Sequence, residues 1–300
     1  MKKKILMLIL WIVLLIVFGM ISWLSGEKNI GLIEAIASTL VTMVIERGFD
    51  AFNDLWDTTN WKISQRKLML RGLIEDDTII RISFAYLYRI KVGDKYLLVQ
   101  NSRNTGKYQP VGGVYKLQKD EKLELKNLCH VMDDDKIPID ESSRNDYRLR
   151  MENQYLRRFM RRFDSRKAKR EHIENVGREF KEELIENGIL NWKKISYRYC
   201  GRHITELKFG EHFQIYELLL ADIVELIPTQ EQERDLRNLL DKTSTIYRFA
   251  TADQIICLGM DIGNGQLHEW IADHTKNILQ ENEAQLMKVS KTGMIFSVDL

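Results

Sequence analysis

Gly177-Arg178-Glu179-Phe180-Lys181-Glu182-Glu183-Leu184 carries three carboxylates at spacing i, i+3, i+4. In a helix that spacing puts Glu179, Glu182 and Glu183 on one face and turns Phe180 and Leu184 toward a core. Carboxylates so close repel one another, and a hard divalent cation among their oxygens relieves the repulsion. Arg178, four residues before Glu182, is placed to orient it. Read alone, the stretch fits equally an ordinary exposed helix with Lys and Glu pairs.

A second run upstream shifts the balance. Lys107-Tyr108-Gln109-Pro110-Val111-Gly112-Gly113-Val114 has a strand-edge proline followed by paired glycines, which allow close backbone approach to a ligand or helix. Together the two runs resemble the Nudix box, G-x5-E-x7-R-E-U-x-E-E-x-G-U with U apolar. Gly113 matches its first glycine, and Arg178, Glu179, Phe180, Glu182 and Glu183 match R-E-U-x-E-E. Arg170 stands where the box has its first Glu, with Glu171 and Glu174 nearby, and the closing glycine is displaced to Gly188. The resemblance implies an α+β fold, a Nudix-type α/β/α sandwich. It also implies catalytic roles for Arg178, Glu179, Glu182 and Glu183, the three glutamates holding Mg2+ (or Mn2+) on substrate phosphates, with Gly112 and Gly113 at the nucleotide.

The amino terminus is of another kind. Met1-Lys2-Lys3-Lys4 precedes Ile5 to Leu24, a run without charge or proline. A helix of that length crosses a hydrocarbon layer of about 30 Å. The run exceeds the apolar core of a signal peptide, and Ser22-Trp23-Leu24-Ser25-Gly26 is a poor cleavage site, so an uncleaved anchor is expected. Ile30 to Ile45 is a second apolar run, with Glu34 near one end. It reads as a returning span, with an interfacial helix as the rival. Two transmembrane helices over 1–47, a connector over 48–76 and a Nudix-like domain over 77–300 are the expected organisation. The positive-inside rule puts Lys2 to Lys4 in the cytoplasm, and the hairpin returns the domain there, at a bacterial inner membrane.

Composition excludes other classes. Lys+Arg 45 against Asp+Glu 43 gives a net charge of +2, so no overall field attracts nucleic acid and DNA binding is not expected. Cys129, Cys200 and Cys257 stand far apart without a C-x-x-C, and no H-E-x-x-H gathers the six histidines. Strands are expected at Ile80 to Leu87 and Tyr96 to Gln100, as a hairpin about Gly93-Asp94. A second pair, Ile195 to Leu207 and Phe213 to Leu220, brackets Lys208-Phe209-Gly210. Helices are expected at Arg148 to Arg170, Ile173 to Asn187, Glu231 to Lys242 and from Ala252 to about Leu258.

A long insertion, at about 116–170, splits the box. Its segment Arg148 to Arg170 holds ten basic residues against Glu152 and Asp164, interleaved with apolar ones. Three readings stand side by side: a phosphate clamp through Arg157, Arg158 and Arg161, a patch on anionic lipid, and a solvated basic face. Asp133-Asp134-Asp135 reads as a surface turn. A fourth acidic ligand, common later in this fold, has candidates in Glu211, Glu225, Glu231 and Glu233.

A split Nudix box behind a membrane hairpin resembles the SMODS-associated Nudix family, the CD-NTase-associated transmembrane effectors of CBASS antiphage systems. That resemblance implies a domain that senses a cyclic oligonucleotide and membrane segments that self-assemble and disrupt the bilayer. The alternative is a membrane-tethered, Mg-dependent pyrophosphohydrolase acting on a nucleoside diphosphate derivative.

Overall fold

The computed structural model describes residues 2–27, 35–45, 60–101, 106–136, 143–263 and 266–300. They form two compact units, Met1–Glu75 and Asp76–Leu300.

The first unit is helical. Helix α1 (Lys2–Glu27) is followed by α2 over residues 35–45 and by α3 (Asn60–Leu70). At about 1.5 Å per residue α1 is roughly 39 Å long. Its side chains are described at residues 10–25, and among the described residues no helix is long and apolar enough to cross a membrane. Residues 28–34, where the two expected spans would join, lie outside the described residues, as do residues 46–59, the end of the second span and the start of the connector.

The second unit mixes helices and strands, as expected for an α+β chain. The strands of its first half are β1 (Ile79–Arg89), β2 (Lys91–Val92), β3 (Lys95–Gln100), β4 (Tyr108–Gln109), β5 (Gly112–Val114), β6 (Met132–Asp133) and β7 (Arg148–Glu152). Those of the second half are β8 (Lys194–Ile204), β9 (Lys208–Gly210), β10 (Ile215–Leu226), β11 (Tyr247–Thr251), β12 (Asp261–Gly263), β13 (Gln266–His268) and β14 (Ile295–Asp299). An eight-stranded sheet runs β14-β8-β10-β1-β7-β6, with β5 added to β1 and β9 to β10. A smaller sheet runs β11-β3-β2, with β4 on β3. At the centre of the large sheet β1 pairs in parallel with β10, from Ile80 opposite Tyr216 to Arg89 opposite Glu225. Ile80, Ile82, Phe84, Tyr86 and Tyr88 of β1 are wholly buried and so are its later residues on the opposite face, which a strand covered on both sides requires.

Two strand expectations need correction. Ile80 to Leu87 and Tyr96 to Gln100 are not partners: the Gly93-Asp94 turn joins β3 only to the short β2, and the chain passes at Ile90 from one sheet to the other. Lys208-Phe209-Gly210 is no turn either. It pairs with Ile215–Glu217, which moves the reversal to residues 211–214.

The helices of this unit are α4 (Lys119–Cys129), α5 (Leu156–Asp164), α6 (Gly177–Phe180), α7 (Gln230–Leu240) and α8 (Ala252–Ile256). Thr229 and Thr251 begin α7 and α8 with reciprocal capping boxes to Gln232 and Gln254, satisfying amides that each first turn leaves open.

The insertion leaves and rejoins the fold at one place. Leu117 pairs with Arg170, Gln118 N–H donates to Lys169 O at 3.0 Å, and Glu171 N–H donates to Lys116 O at 2.9 Å. The single helix expected over Arg148 to Arg170 is replaced by β7, a short 3-10 turn at Asn153–Tyr155 and α5. Arg148 to Glu152 alternates, burying Leu149 and Met151, and β1 takes it as an antiparallel partner. The apolar seam of α5 packs inward: Phe159 and Phe163 lie 5.6 and 4.8 Å from the Phe84 ring. That seam is core and is not open to lipid. Arg162 grips Glu121, which is fully buried, with bonds of 2.8 and 2.6 Å. Of the expected surface turn, Asp135 is exposed and opens a turn, whereas Asp133 ends β6 and Asp134 is buried, and all three are ion-paired: Asp133 to Lys122, Asp134 to Arg81 and Asp135 to Arg150.

Candidate functional site

The Glu-rich stretch docks through its apolar side. Phe180 and Leu184 are fully buried, with the Phe180 ring 5.3 Å from Tyr88 of β1 and 5.9 Å from Trp192. After α6 the helix widens to a π turn over Lys181–Ile185, where Glu186 N–H reaches back to Lys181 O at 2.9 Å. Such turns recur at functional sites because they re-aim neighbouring side chains.

The opposite face meets the paired glycines. Gly112 N–H donates to Glu183 Oε2 at 2.9 Å. A Cβ on Gly113 would lie 1.9 Å from Glu179 Oε1, so only glycine lets the carboxylate rest against this backbone. Strand β5 is held there by β1, with Leu87 opposite Gly112 and Tyr86 opposite Gly113. Arg178 sits among the acids: Nη1 is 2.5 Å from Glu179 and 3.5 Å from Glu182, while Nη2 is 3.3 Å from Glu171 and donates to Val114 O at 2.9 Å. Glu171 also accepts from Tyr86 Oη and from the Lys116 backbone N–H, both at 3.3 Å.

Burial dominates the electrostatics. It pushes the Glu183 carboxyl up to about 8, with Glu179 and Glu182 adding to the rise against the Gly112 N–H and Arg178. The residue keeps an exposed edge, but its carboxyl lies among protein atoms. Burial raises Glu179 as well, and Arg178 counters it. Burial alone would lower the Arg178 guanidinium, and Tyr86, Glu179 and Glu171 more than reverse this. Between 4.5 and about 8 the folded chain holds a proton on Glu183 that the unfolded chain has released, so rising pH through that window destabilises the fold. Glu183→Gln keeps an acceptor for Gly112 and is expected to lose less stability than the wild type between about pH 5 and pH 8. Urea titrations at both ends check this, and equal losses would rule out a protonated Glu183.

The profile of the SMODS-associated NUDIX domain matches residues 79–279. The chain belongs to this family. No curated protein matches it.

Seen as a Nudix box, the site is rejoined across its insertion by the Leu117–Arg170 bridge. Of the residues at and beside the position of the box's first Glu, Glu171 reaches Arg178 and Tyr86, whereas Glu174 turns away to Lys291 and Arg170 is buried against Phe163. The displaced closing glycine lies three residues beyond the π turn. Gly188, at φ +67°, ends the helix, its N–H bonding Ile185 O while Ile189 N–H reaches Leu184 O. The structure thus brings together Gly112, Gly113, Arg178, Glu179, Glu182 and Glu183 and adds Glu171, Tyr86 and Lys116.

Arg157, Arg158 and Arg161 stand elsewhere, on α5, which packs against α4. Arg158 donates to Leu128 O at 3.1 Å and Arg161 is exposed. Among the candidates for a fourth acid, Glu225 pairs with Arg198 at 2.6 Å and Glu233 with Arg237 at 2.6 Å. The Nudix carboxylates suit a hard cation in kind, being oxygen donors in excess of positive charge. As oriented, Glu183 faces Gly112 and Glu179 faces Arg178. Among the described residues no group of three or more His, Cys, Asp or Glu is arranged around a metal position.

Proposed function

We propose that this chain is the membrane-bound effector of a CBASS antiphage system. In this reading the Nudix-type sandwich faces the bacterial cytoplasm and binds a cyclic oligonucleotide. The amino-terminal helices form a transmembrane hairpin at the inner membrane, and their self-assembly on ligand binding disrupts the bilayer. The family match supports the signalling context. Large apolar side chains left exposed on α1 (Leu10, Ile16, Met20 and Trp23 among them) and on α2 (Ile36, Met43 and Ile45) support the membrane context.

The observation that carries binding over hydrolysis is the Arg178 guanidinium, which reaches Glu171, Glu179 and Glu182 at 3.3, 2.5 and 3.5 Å and so stands among the acids where a cation would otherwise sit. In this reading the ligand meets the site at Gly112 and Gly113, whereas Arg157, Arg158 and Arg161, which stand apart on α5, are not assigned to its phosphates. Titration calorimetry of the full-length chain in detergent against cyclic di- and trinucleotides is expected to give saturable binding that Gly113→Ala weakens. A panel without heat of binding would sink the reading.

The buried acidity favours a second reading, a membrane-tethered pyrophosphohydrolase. Burial pushes the Glu183 carboxyl up to about 8, with Glu179 and Glu182 beside it adding to the rise, and a divalent cation among these oxygens would favour its ionised form. Glu179, Glu182 and Glu183 would hold Mg2+ or Mn2+, which when bound neutralises the phosphates of a nucleoside diphosphate derivative. Glu182 is half-exposed, so Glu182→Gln is expected to leave the fold intact and abolish turnover. Dinucleotide substrates left uncut by the wild type count against hydrolysis.

A further inference from the structure

The segment beyond the family match, residues 280–300, crosses the fold and ends against the Glu-bearing helix. It is fastened at four successive points. The turn at Gln280–Gln285 is held by Arg89, a fully buried side chain of β1 whose Nη1 lies 2.5 Å from Glu283 Oε2. Next, Met287 and Arg202 exchange backbone bonds of 2.8 and 3.0 Å. Gly201, at φ +139°, lies so close that a Cβ there would be 3.1 Å from Leu286 Cβ and Met287 O. Gly293 N–H donates to Tyr199 O at 2.7 Å, and Tyr199 N–H donates to Met294 O at 2.9 Å. Strand β14 then runs along β8 at the edge of the large sheet.

From there the segment meets the chain before the Glu-bearing helix, at its first residue and beyond its end. Lys291 pairs with Glu174 in the loop that leads into the helix. At Gly177, the first residue of α6, a Cβ would lie 3.0 Å from Val298 Cγ2 and 3.3 Å from Leu300 Cδ2. Leu300 N–H donates to Lys193 O at 2.9 Å, in the chain that leaves the helix. Phe180 against Tyr88 and Glu183 against Gly112 hold the same helix from the sheet side. The helix is therefore held by β1 and β5 on one side and by this segment at its start, where a Cβ on Gly177 would press tightly on Val298 and Leu300.

We infer that residues 280–300 are a strap that sets the position of the Glu-bearing helix, with Val298 and Lys291 as positioning residues for the Glu183–Gly112 contact and the ligand site built on it. This rests on the reading of that site as the nucleotide site. Neither residue touches Gly112. Val298, buried on the face of β14 that meets Gly177, acts through the helix start, and Lys291 acts through Glu174. Ile295, on the same strand, is 62% exposed and reaches neither, which makes it the internal control.

Amide hydrogen exchange on the full-length chain tests this without a ligand. In Val298→Ala and Lys291→Gln the Gly112 amide is expected to exchange about tenfold faster, because its acceptor is loosened by a local opening. The Phe84 amide, bonded to Tyr147 O at 3.1 Å in the core, should keep the wild-type rate. Lys291→Arg, which restores a partner for Glu174, and Ile295→Ala should both behave as wild type. Unchanged Gly112 exchange in Val298→Ala and Lys291→Gln overturns the inference. So does equal acceleration at Gly112 and Phe84, which marks general destabilisation. Should Val298→Ala not fold, the Lys291 pair decides alone. Calorimetry with cyclic di- and trinucleotides separates the two claims. A wild type that binds none, with Gly112 still loosened in the variants, overturns the nucleotide reading and upholds the strap. Binding by wild type and variants alike, with Gly112 unmoved, does the reverse.

Discussion

Gly112→Ala is expected to lower stability by about 2 to 6 kcal/mol and to abolish ligand binding, the sum of overpacking and backbone strain of ~1 to 3 kcal/mol each. Gly112 has φ +149°, a conformation that L side chains rarely adopt, and an added Cβ would lie 2.3 Å from the Tyr86 carbonyl oxygen and 3.0 Å from Leu87 Cα. Both obstacles are backbone atoms of β1, the central strand, and cannot rotate aside. Strand β5 must move off β1, carrying the Gly112 N–H away from Glu183. Gly113→Ala is the informative contrast, since its Cβ meets the Glu179 side chain, which can swing out toward solvent. The Gly113 variant should keep most of its stability and lose its ligand. Urea unfolding paired with calorimetry separates the two, and a Gly112 variant that unfolds like the wild type would overturn the close approach of β5 to β1.

Asp222→Ala carries the other large effect, a loss of about 3 to 5 kcal/mol from leaving a buried charge without its partner. Asp222 and Arg202 face each other across β10 and β8, 1% and 4% exposed. Arg202 Nε lies 2.8 Å from Asp222 Oδ1, and the carboxylate also accepts from Tyr199 Oη at 2.6 Å and Tyr115 Oη at 2.7 Å. Arg202 reaches on to Asp164 of α5 at 2.7 Å, so the cluster ties the insertion to the sheet. Removing the carboxylate leaves the buried guanidinium only Asp164, half-exposed, as an ionic partner and strands two hydroxyls. Replacing both charges, Asp222→Leu with Arg202→Met, should be less harmful than Asp222→Ala alone.

The pH dependence follows from the same contacts. Burial would raise the Asp222 carboxyl, but Arg202, Tyr199 and Tyr115 hold it below its ordinary 3.8. Its stabilisation is present above that value and is lost as pH falls through the folded-state value, so the gap between wild type and Asp222→Ala should narrow in acid. Denaturant midpoints at neutral and acid pH measure the gap, and a constant one would contradict an ionised Asp222.

Much of the site was legible because it is local. The i, i+3, i+4 spacing of Glu179, Glu182 and Glu183 carries the acidic face, and Phe180 and Leu184 are buried where that spacing turns them. The period-two run Arg148-Leu149-Arg150-Met151-Glu152 was equally legible as a strand, but the helical repeat of Leu156, Phe159, Met160 and Phe163 downstream masks it when the segment is read as one. Charge counting located the basic insertion without distinguishing Arg162, spent on Glu121, from Arg161, which faces solvent.

The sequence by itself determined the helix that bears the carboxylates, the glycines that receive them, the apolar amino terminus and the family. Each depends on residues near one another in the chain, where spacing and side-chain volume suffice. Only the tertiary structure decided that β1 runs parallel to β10, that Leu117 meets Arg170 to close the box over its insertion, that Glu171 and not Glu174 joins Arg178, and that residues 280–300 reach Gly177. Apart from Glu171 with Arg178, which the closure over the insertion positions, those contacts join residues from tens to more than a hundred positions apart. Their partners are selected by packing against a common sheet, which no local pattern encodes.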